Sequence, residues 1–472
     1  MSENNTNRER PNLLVIHTDQ QSCWTLGCYG GTLVETPNID RLAGEGVLFE
    51  NFFTNSAVCT PSRGCLVTGR YPHCHGAYTN NIPLNADETT FATALSGVGY
   101  ETGYAGKWHL DGLRRPGWVH EDRGFGFDDN YYMFNRGHWK KIHDGGMNDM
   151  QPVVYPYQVI GDERTYTTDW LVEKTVEFVS RPRTNPFCYM VSFPDPHDPV
   201  DVRPPYDTMF DPADMPIPDT FDEEGMPHWA EAVRRNNPFA PGTSDREARL
   251  RRWLALYCGE VKLLDDAVGR ILSALETRGI LDDTVVVFTV DHGEYAGEHG
   301  LMAKNQLYET AHRVPLIVRW PNGIGGGNGA GLKVARVLST VDFLPTILGL
   351  MDVESDGRAQ GVDASVLLRA AAESQNMSGE SDPWNGPEQA FIHHSSLERA
   401  GIFTPEYELA LLREGGHIMF DRREDPLQIR NLFSDPGRRR DRQELIERVL
   451  EHHRECESPA EGWLEKTASD AR

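Results

Sequence analysis

Hydrophobic spacing divides the chain into short apolar runs and longer stretches of helical period. Leu13 to Ile16 is an unbroken aliphatic run followed by Thr18-Asp19-Gln20, which predicts a buried strand ending in polar groups. Thr36-Pro37-Asn38-Ile39 opens a short helix through Leu42, because Pro37 suits a first turn that needs no N–H. Phe91 to Leu95 reads as helix and Tyr100 to Ala105 as strand. Trp170, Val172, Val176 and Phe178 give Thr167 to Val179 a helical stripe. Phe187 to Phe193 is β-rich and runs into Pro194-Asp195-Pro196-His197. Asp245 to Thr277 has the pattern of one long helix closed by Gly279, and Thr284 to Val290 is an apolar strand ending at Asp291. Beyond a glycine-rich stretch from Trp320 to Leu332 and a polar segment from Ala371 to Glu388, Ala390 to His393 and Tyr407 to Arg413 read as short strands. Arg440 to Glu455 reads as a charged helix.

Alternating strands and helices predict an α/β fold: a large doubly wound, mixed but mostly parallel sheet with helices on both faces. A smaller C-terminal α+β domain with a short antiparallel sheet should follow. The domains are expected at 1–375 and 376–472. Polar residues cluster just past three strand ends, at Asp19-Gln20, His197 and Asp291-His292. Ligand sites in such sheets lie beyond the carboxyl ends of the strands.

Composition narrows the function. The 472 residues carry 46 Lys and Arg against 71 Asp and Glu, a net charge of -25. Nucleic acid and anionic membrane both require a basic face and are disfavoured as partners. No apolar run is long enough to span a bilayer. The N-terminal MSENNTNRERPN is polar and lacks an apolar signal core, so the expected location is cytoplasmic, or periplasmic if a leader has been trimmed. Eight cysteines without a short repeating spacing do not make a disulfide scaffold and are expected to be free thiols.

Cys59 stands apart from the others. It begins Cys59-Thr60-Pro61-Ser62-Arg63-Gly64-Cys65-Leu66-Val67-Thr68-Gly69-Arg70, in which Pro61 starts a helix and sets Cys59 at its positive end. The stretch resembles the signature of the formylglycine-dependent sulfatases of the alkaline phosphatase superfamily, matching at Cys59, Pro61, Ser62, Arg63, Thr68 and Gly69. The resemblance implies that a maturation enzyme oxidises Cys59 to formylglycine, whose hydrate attacks sulfur. It implies hydrolysis of a sulfate monoester of a sugar, aryl or alkyl alcohol to the alcohol and inorganic sulfate. Asp19, Gln20, Asp291 and His292 fall where that family holds a divalent cation, with residue 59 beside it. Oxygen-rich ligands favour Ca²⁺. Many relatives have Asp where Gln20 stands and Asn where His292 stands, and this departure makes Mn²⁺ the alternative.

The same resemblance assigns the remaining roles. Arg63 holds the hydrate, Lys107 and Lys304 bind sulfate oxygens, and His197 protonates the departing alkoxide. His109 is the base for release of sulfate, and Asn80 is a further candidate near the metal or substrate. His299 is expected to be structural. Two segments are candidates for the substrate rim: Asp128 to Lys141, with Tyr131, Tyr132 and Trp139, and Asp201 to Trp229. Two rival readings follow from the same residues: a phosphonate or phosphate ester hydrolase of the superfamily, which Gln20 and His292 resemble, and a non-catalytic anion binder. The pair Lys107 and His109 argues against the first, and the full set of site residues against the second.

Overall fold

The computed structural model describes residues 10–112, 117–145, 152–320, 331–373 and 384–471. Its strands are β1 (Asn12–Thr18), β2 (Val47–Phe53), β3 (Glu101–Lys107), β4 (Asp129–Phe134), β5 (Ile142–His143), β6 (Val153–Val154), β7 (Phe187–Ser192), β8 (Thr284–Val290), β9 (Leu316–Arg319), β10 (Leu332–Ser339), β11 (Ala390–His393), β12 (Arg399–Phe403), β13 (Tyr407–Leu412) and β14 (Ile418–Asp421). Eight form one sheet in the order β10-β2-β9-β8-β1-β7-β3-β4. Only β9 runs against its two neighbours; the other pairings are parallel. The sheet is therefore mixed and mostly parallel, as the alternating pattern predicts.

The central strands are buried along their whole length. Leu13, Leu14, Val15 and Ile16 of β1 pack with Val285, Val286, Val287 and Phe288 of β8 in a single core. A strand covered on both faces needs a continuous apolar run, and that run made β1 and β8 legible. Helices Thr167–Val179 and Arg246–Thr277 cover the sheet where helical spacing placed them. The apolar spacing does not reveal β2, whose Glu50 and Asn51 interrupt the run, nor β9, which is only four residues long.

β11 to β14 form a separate antiparallel sheet in sequential order, backed by helices Arg439–Glu455 and Glu461–Ala471. It seals against the large unit near the signature helix: Asn55 Nδ2 donates to Phe391 O at 2.9 Å, and the Phe53 and Phe403 rings stack at 4.4 Å. The expected boundary at 375/376 lies outside the described residues, as does most of the 320–332 glycine-rich stretch. All eight cysteines are free. No described helix is long and apolar enough to cross a membrane.

Two of the three aromatics expected at a substrate rim, Tyr132 and Trp139, pack against the fold instead. Residues 129–134 are the edge strand β4, and Tyr132 packs edge-on against Trp170. Trp139 is buried against Phe134 and Trp118. Of the three aromatics proposed to face a ligand, only Tyr131 is exposed.

Candidate active site

Strand ends build the site. β1 delivers Asp19 and Gln20, β8 delivers Asp291 and His292, β3 ends on Lys107, and β7 ends on Ser192 before the proline loop that carries His197. Helix Cys59–Thr68 points its N-terminus at this convergence and is buried throughout. Gly69, at φ 66°, ends the helix in the left-handed conformation that glycine adopts without penalty. Gly106 lets β3 lie against β7: its φ is 106°, and a Cβ there would stand 2.0 Å from Ser192 O.

Cys59 meets both acidic strand ends. One donor atom from each of Asp19, Cys59, Asp291 and His292 lies within 4.8 Å of the others, all four residues buried. Cys59 Sγ is 3.2 Å from His292 Nε2, 3.7 Å from Lys107 Nζ and 3.8 Å from Asp19 Oδ1. His292 Nδ1 donates to Gly293 O at 3.1 Å, which turns Nε2 toward the cluster; burial disfavours the charged ring, but Asp291 and Cys59 outweigh it and raise its pKa. Burial and the Asp19 charge push the Cys59 thiol up, but Lys107, Lys304 and His292 outweigh them and hold it below the ordinary thiol range.

Two buried carboxylates this close would repel without cations. Arg63, 2% exposed, donates from Nε to Asp291 Oδ2 at 3.0 Å and from a terminal nitrogen to Asp19 Oδ2 at 3.2 Å. Its remaining nitrogen reaches Lys107 O at 2.7 Å and Ser192 Oγ at 2.8 Å. The Arg63 side chain thus ties together the ends of four parallel strands. Lys107 Nζ adds a direct ion pair to Asp19 Oδ2. Burial opposes ionisation of Asp19, but Lys107, a hydrogen bond from His138 and Arg63 keep it well below the usual carboxylate range.

A second cationic group closes the other side. Lys304 Nζ donates to Gln20 Oε1 and lies 2.6 Å from His197 Nε2. His197 Nδ1 in turn donates to Asp198 O at 2.8 Å, so Nε2 accepts from the lysine and the ring is neutral. Burial and the Lys304 charge lower its pKa well below the ordinary histidine value. Burial also disfavours the Lys304 ammonium, but Cys59, Asp19 and Asp291 more than restore it. Gln20 sits at φ 60°, its side chain held between Lys304 and Glu294.

The other expected residues take distinct places. Asn80 Oδ1 accepts from Thr60 N at 3.2 Å and so satisfies an otherwise unpaired donor in the first turn of the signature helix. His109 is buried at φ 61°, and its carbonyl accepts from Thr60 Oγ1 at 2.9 Å. His299 is structural: it bonds Glu223 at 2.5 Å and stacks on Tyr308 at 3.7 Å.

Sequence reasoning missed three groups. His138 Nε2 lies 2.9 Å from Lys107 Nζ, and its ring stacks on His197 at 4.0 Å with 7° between planes. Nothing in Arg136-Gly137-His138-Trp139 signals this, since β4 carries it in from the sheet edge. Glu294 accepts from the Ala296 and Ala303 amides, and burial raises its carboxyl to about 8. Lys140 bonds Asp195 and Glu260, each at 2.6 Å, beneath the proline loop.

The donor set suits a divalent cation. Two carboxylates offer hard oxygens, and His292 shows the ligand arrangement in which the remote ring nitrogen is fixed by a carbonyl.

Comparisons agree with this geometry. The family profile described as Sulfatase matches residues 11–353, and that of the N-sulphoglucosamine sulphohydrolase C-terminal region matches 297–455. The chain is similar to an N-acetylglucosamine-6-O-sulfatase of Bacteroides thetaiotaomicron, 27% identical across 94% of this chain and 86% of the relative. A structure described as a complex with its substrate D-glucosamine-2-N,6-O-disulfate aligns with TM-score 0.77 at 25% identity, over 95% of this chain and 98% of that one. A phosphonate monoester hydrolase of Agrobacterium radiobacter shares the fold, with TM-score 0.76 at 23% identity over 95% and 96% of the two chains. With a family profile spanning most of its length and a cysteine, two acids and a histidine meeting at the strand ends, the chain belongs to the sulfatase family and is a sulfuric ester hydrolase.

Proposed function

We propose that the chain releases inorganic sulfate from a sulfated sugar, with Cys59 matured to formylglycine as the nucleophile. The observation that carries this reading is the meeting of Cys59 with Asp19, Asp291 and His292 inside one buried cluster. The sugar preference is supported by the amino-sugar substrates named for the relative and for the structural neighbour. Asp19, Asp291 and His292 are the residues to hold a divalent cation, Ca²⁺ on the oxygen donors or Mn²⁺ on the imidazole. Bound there, the cation would acidify a hydroxyl at residue 59 and offset sulfate charge.

The chain's own residues do the rest. Arg63 fixes both carboxylates in register, so residue 59 and the acids keep their spacing. Lys107 and Lys304 face residue 59 from two sides and neutralise sulfate oxygens as charge shifts onto them. His197 is placed to protonate the departing sugar oxygen: its Nε2 takes a proton from the Lys304 ammonium and gives that same proton to the alkoxide as the bond to sulfur breaks, which leaves Lys304 a neutral amine and His197 a neutral ring. His109 serves release of sulfate from residue 59. Because Cys59 is 1% exposed, the maturation enzyme must act before the chain folds.

Two measurements test the proposal. Co-expression with a formylglycine-generating enzyme should lower the mass of the Cys59 peptide by about 18 Da. The matured protein, reconstituted with Ca²⁺ or Mn²⁺, should then liberate sulfate from glucosamine sulfates. A large preference for a phenyl phosphonate monoester over every sulfate would overturn the substrate class.

A further inference from the structure

A second convergence of metal-ligating side chains lies in the C-terminal unit and shares no residue with the active site. His393 ends β11, and His452 and His453 lie near the C-terminus of helix Arg439–Glu455. One nitrogen from each ring lies within 4.8 Å of the other two. His393 Nε2 and His452 Nε2 are 2.8 Å apart. His453 is 1% exposed, and neither of its ring nitrogens has a hydrogen-bond partner among the described residues.

That last fact needs a cause. A buried polar group left unsatisfied costs about 1–3 kcal/mol, and native structures rarely tolerate one without a water or an ion to meet it. Among the described residues no carboxylate joins the cluster to offset a protonated ring. The surroundings are aromatic: Tyr71 stacks on His393 at 4.6 Å and Phe391 on His452 at 3.7 Å. Cys456 Sγ lies 3.9 Å from His452 Nε2.

We propose that His393, His452 and His453 form a structural zinc site. Three neutral imidazoles without oxygen ligands disfavour Ca²⁺ or Mg²⁺ and suit a borderline ion. Zinc–nitrogen bonds of about 2.0 Å in tetrahedral geometry place nitrogens about 3.3 Å apart. Binding would therefore require the 2.8 Å contact to open and the third ring to draw in. The ion would join the last turns of the helix to β11. β11 is itself bonded to the approach to the active site, since His393 N donates to Asn55 O at 2.7 Å, four residues before Cys59. Zinc here would clamp the C-terminal unit onto the backbone that delivers the nucleophile.

The test uses full-length protein stripped with EDTA, with Asp19→Asn/Asp291→Asn substituted to disable the catalytic cluster. Calorimetric titration with Zn²⁺ should show one equivalent bound per chain, and Tm should rise by several degrees with zinc. His453→Gln in the same background should weaken zinc binding at least about 100-fold and remove the Tm rise. Absence of zinc binding in the parent, or equal binding in the His453→Gln protein, overturns the site. Should that variant fail to fold, X-ray absorption on the zinc-loaded parent decides. Multiple scattering from about three imidazoles supports the site, and a shell with one or none refutes it.

Discussion

Replacing Lys140 by Met tests how the proline loop behind the active site is held. Lys140 and Glu260 are fully buried, and Asp195 is 2% exposed. The lysine bonds both acids, and Asp195 also accepts from Thr168 Oγ1. One cation cannot neutralise two carboxylates. Burial raises the Glu260 carboxyl well above its ordinary value, and although Lys140 pulls it down, the Asp195 charge adds to the rise. Its second oxygen has no hydrogen-bond partner among the described residues. Burial and the Asp195 charge thus favour the neutral form of Glu260 and leave Lys140 to pair with Asp195.

Lys140→Met strips that pair of its cation and leaves a buried, ionised Asp195, a loss of about 3–5 kcal/mol. Glu260→Gln keeps a neutral acceptor of the same shape and should cost about 1 kcal/mol or less. At about 2.1 cal/mol/K per residue, the unfolding entropy of a chain this long is about 1 kcal/mol/K. Calorimetry should then show Tm lowered by about 3–5 °C for Lys140→Met and by about 1 °C for Glu260→Gln. The pH dependence has a definite sign. A folded-state pKa raised above the unfolded value gives stability that is complete at low pH and lost as pH rises through the folded pKa. Glu260→Gln removes that loss, so the variant should gain on the wild type as pH rises. Activity should follow the lysine too, because Asp195 O accepts from the Asp19 amide at 3.2 Å. Equal Tm losses in the two variants would mean that Glu260 is ionised, and the charge assignment would fail.

Gly106→Ala should be inactive and poorly folded, since its Cβ would strike Ser192 O at a φ of 106°; near-normal circular dichroism and turnover would show that β3 and β7 can separate. His138→Ala should lower kcat by about 10–100-fold through loosening of Lys107 and His197; a change below about twofold would make the ring mere packing. Asp291→Asn should lose cation binding by metal analysis and lose turnover together, while a variant that keeps its cation but not its activity would move Asp291 out of the ligand set.

What the sequence reveals is set by how far each residue's partner lies along the chain. Strands β1 and β8 are legible because burial on both faces demands an unbroken apolar run, and the acids that follow them are legible because such strands must end somewhere polar. Cys59 and Arg63 are legible as a local pattern resembling a known signature. Yet the work of Arg63 is not local. Its guanidinium spans Asp19, Asp291, Lys107 and Ser192, contacts that exist only once four strands lie side by side. His138 is harder still, for it arrives from the edge strand with no spacing rule linking it to Lys107 or His197. Lys140 illustrates the general difficulty. A lysine followed directly by a second, Lys141, reads as surface, and only the meeting of two acids from distant segments makes its burial affordable. Residues that carry chemistry through short motifs are thus readable from sequence, while those that hold the chemistry in place become visible when folding brings opposite charges together away from water.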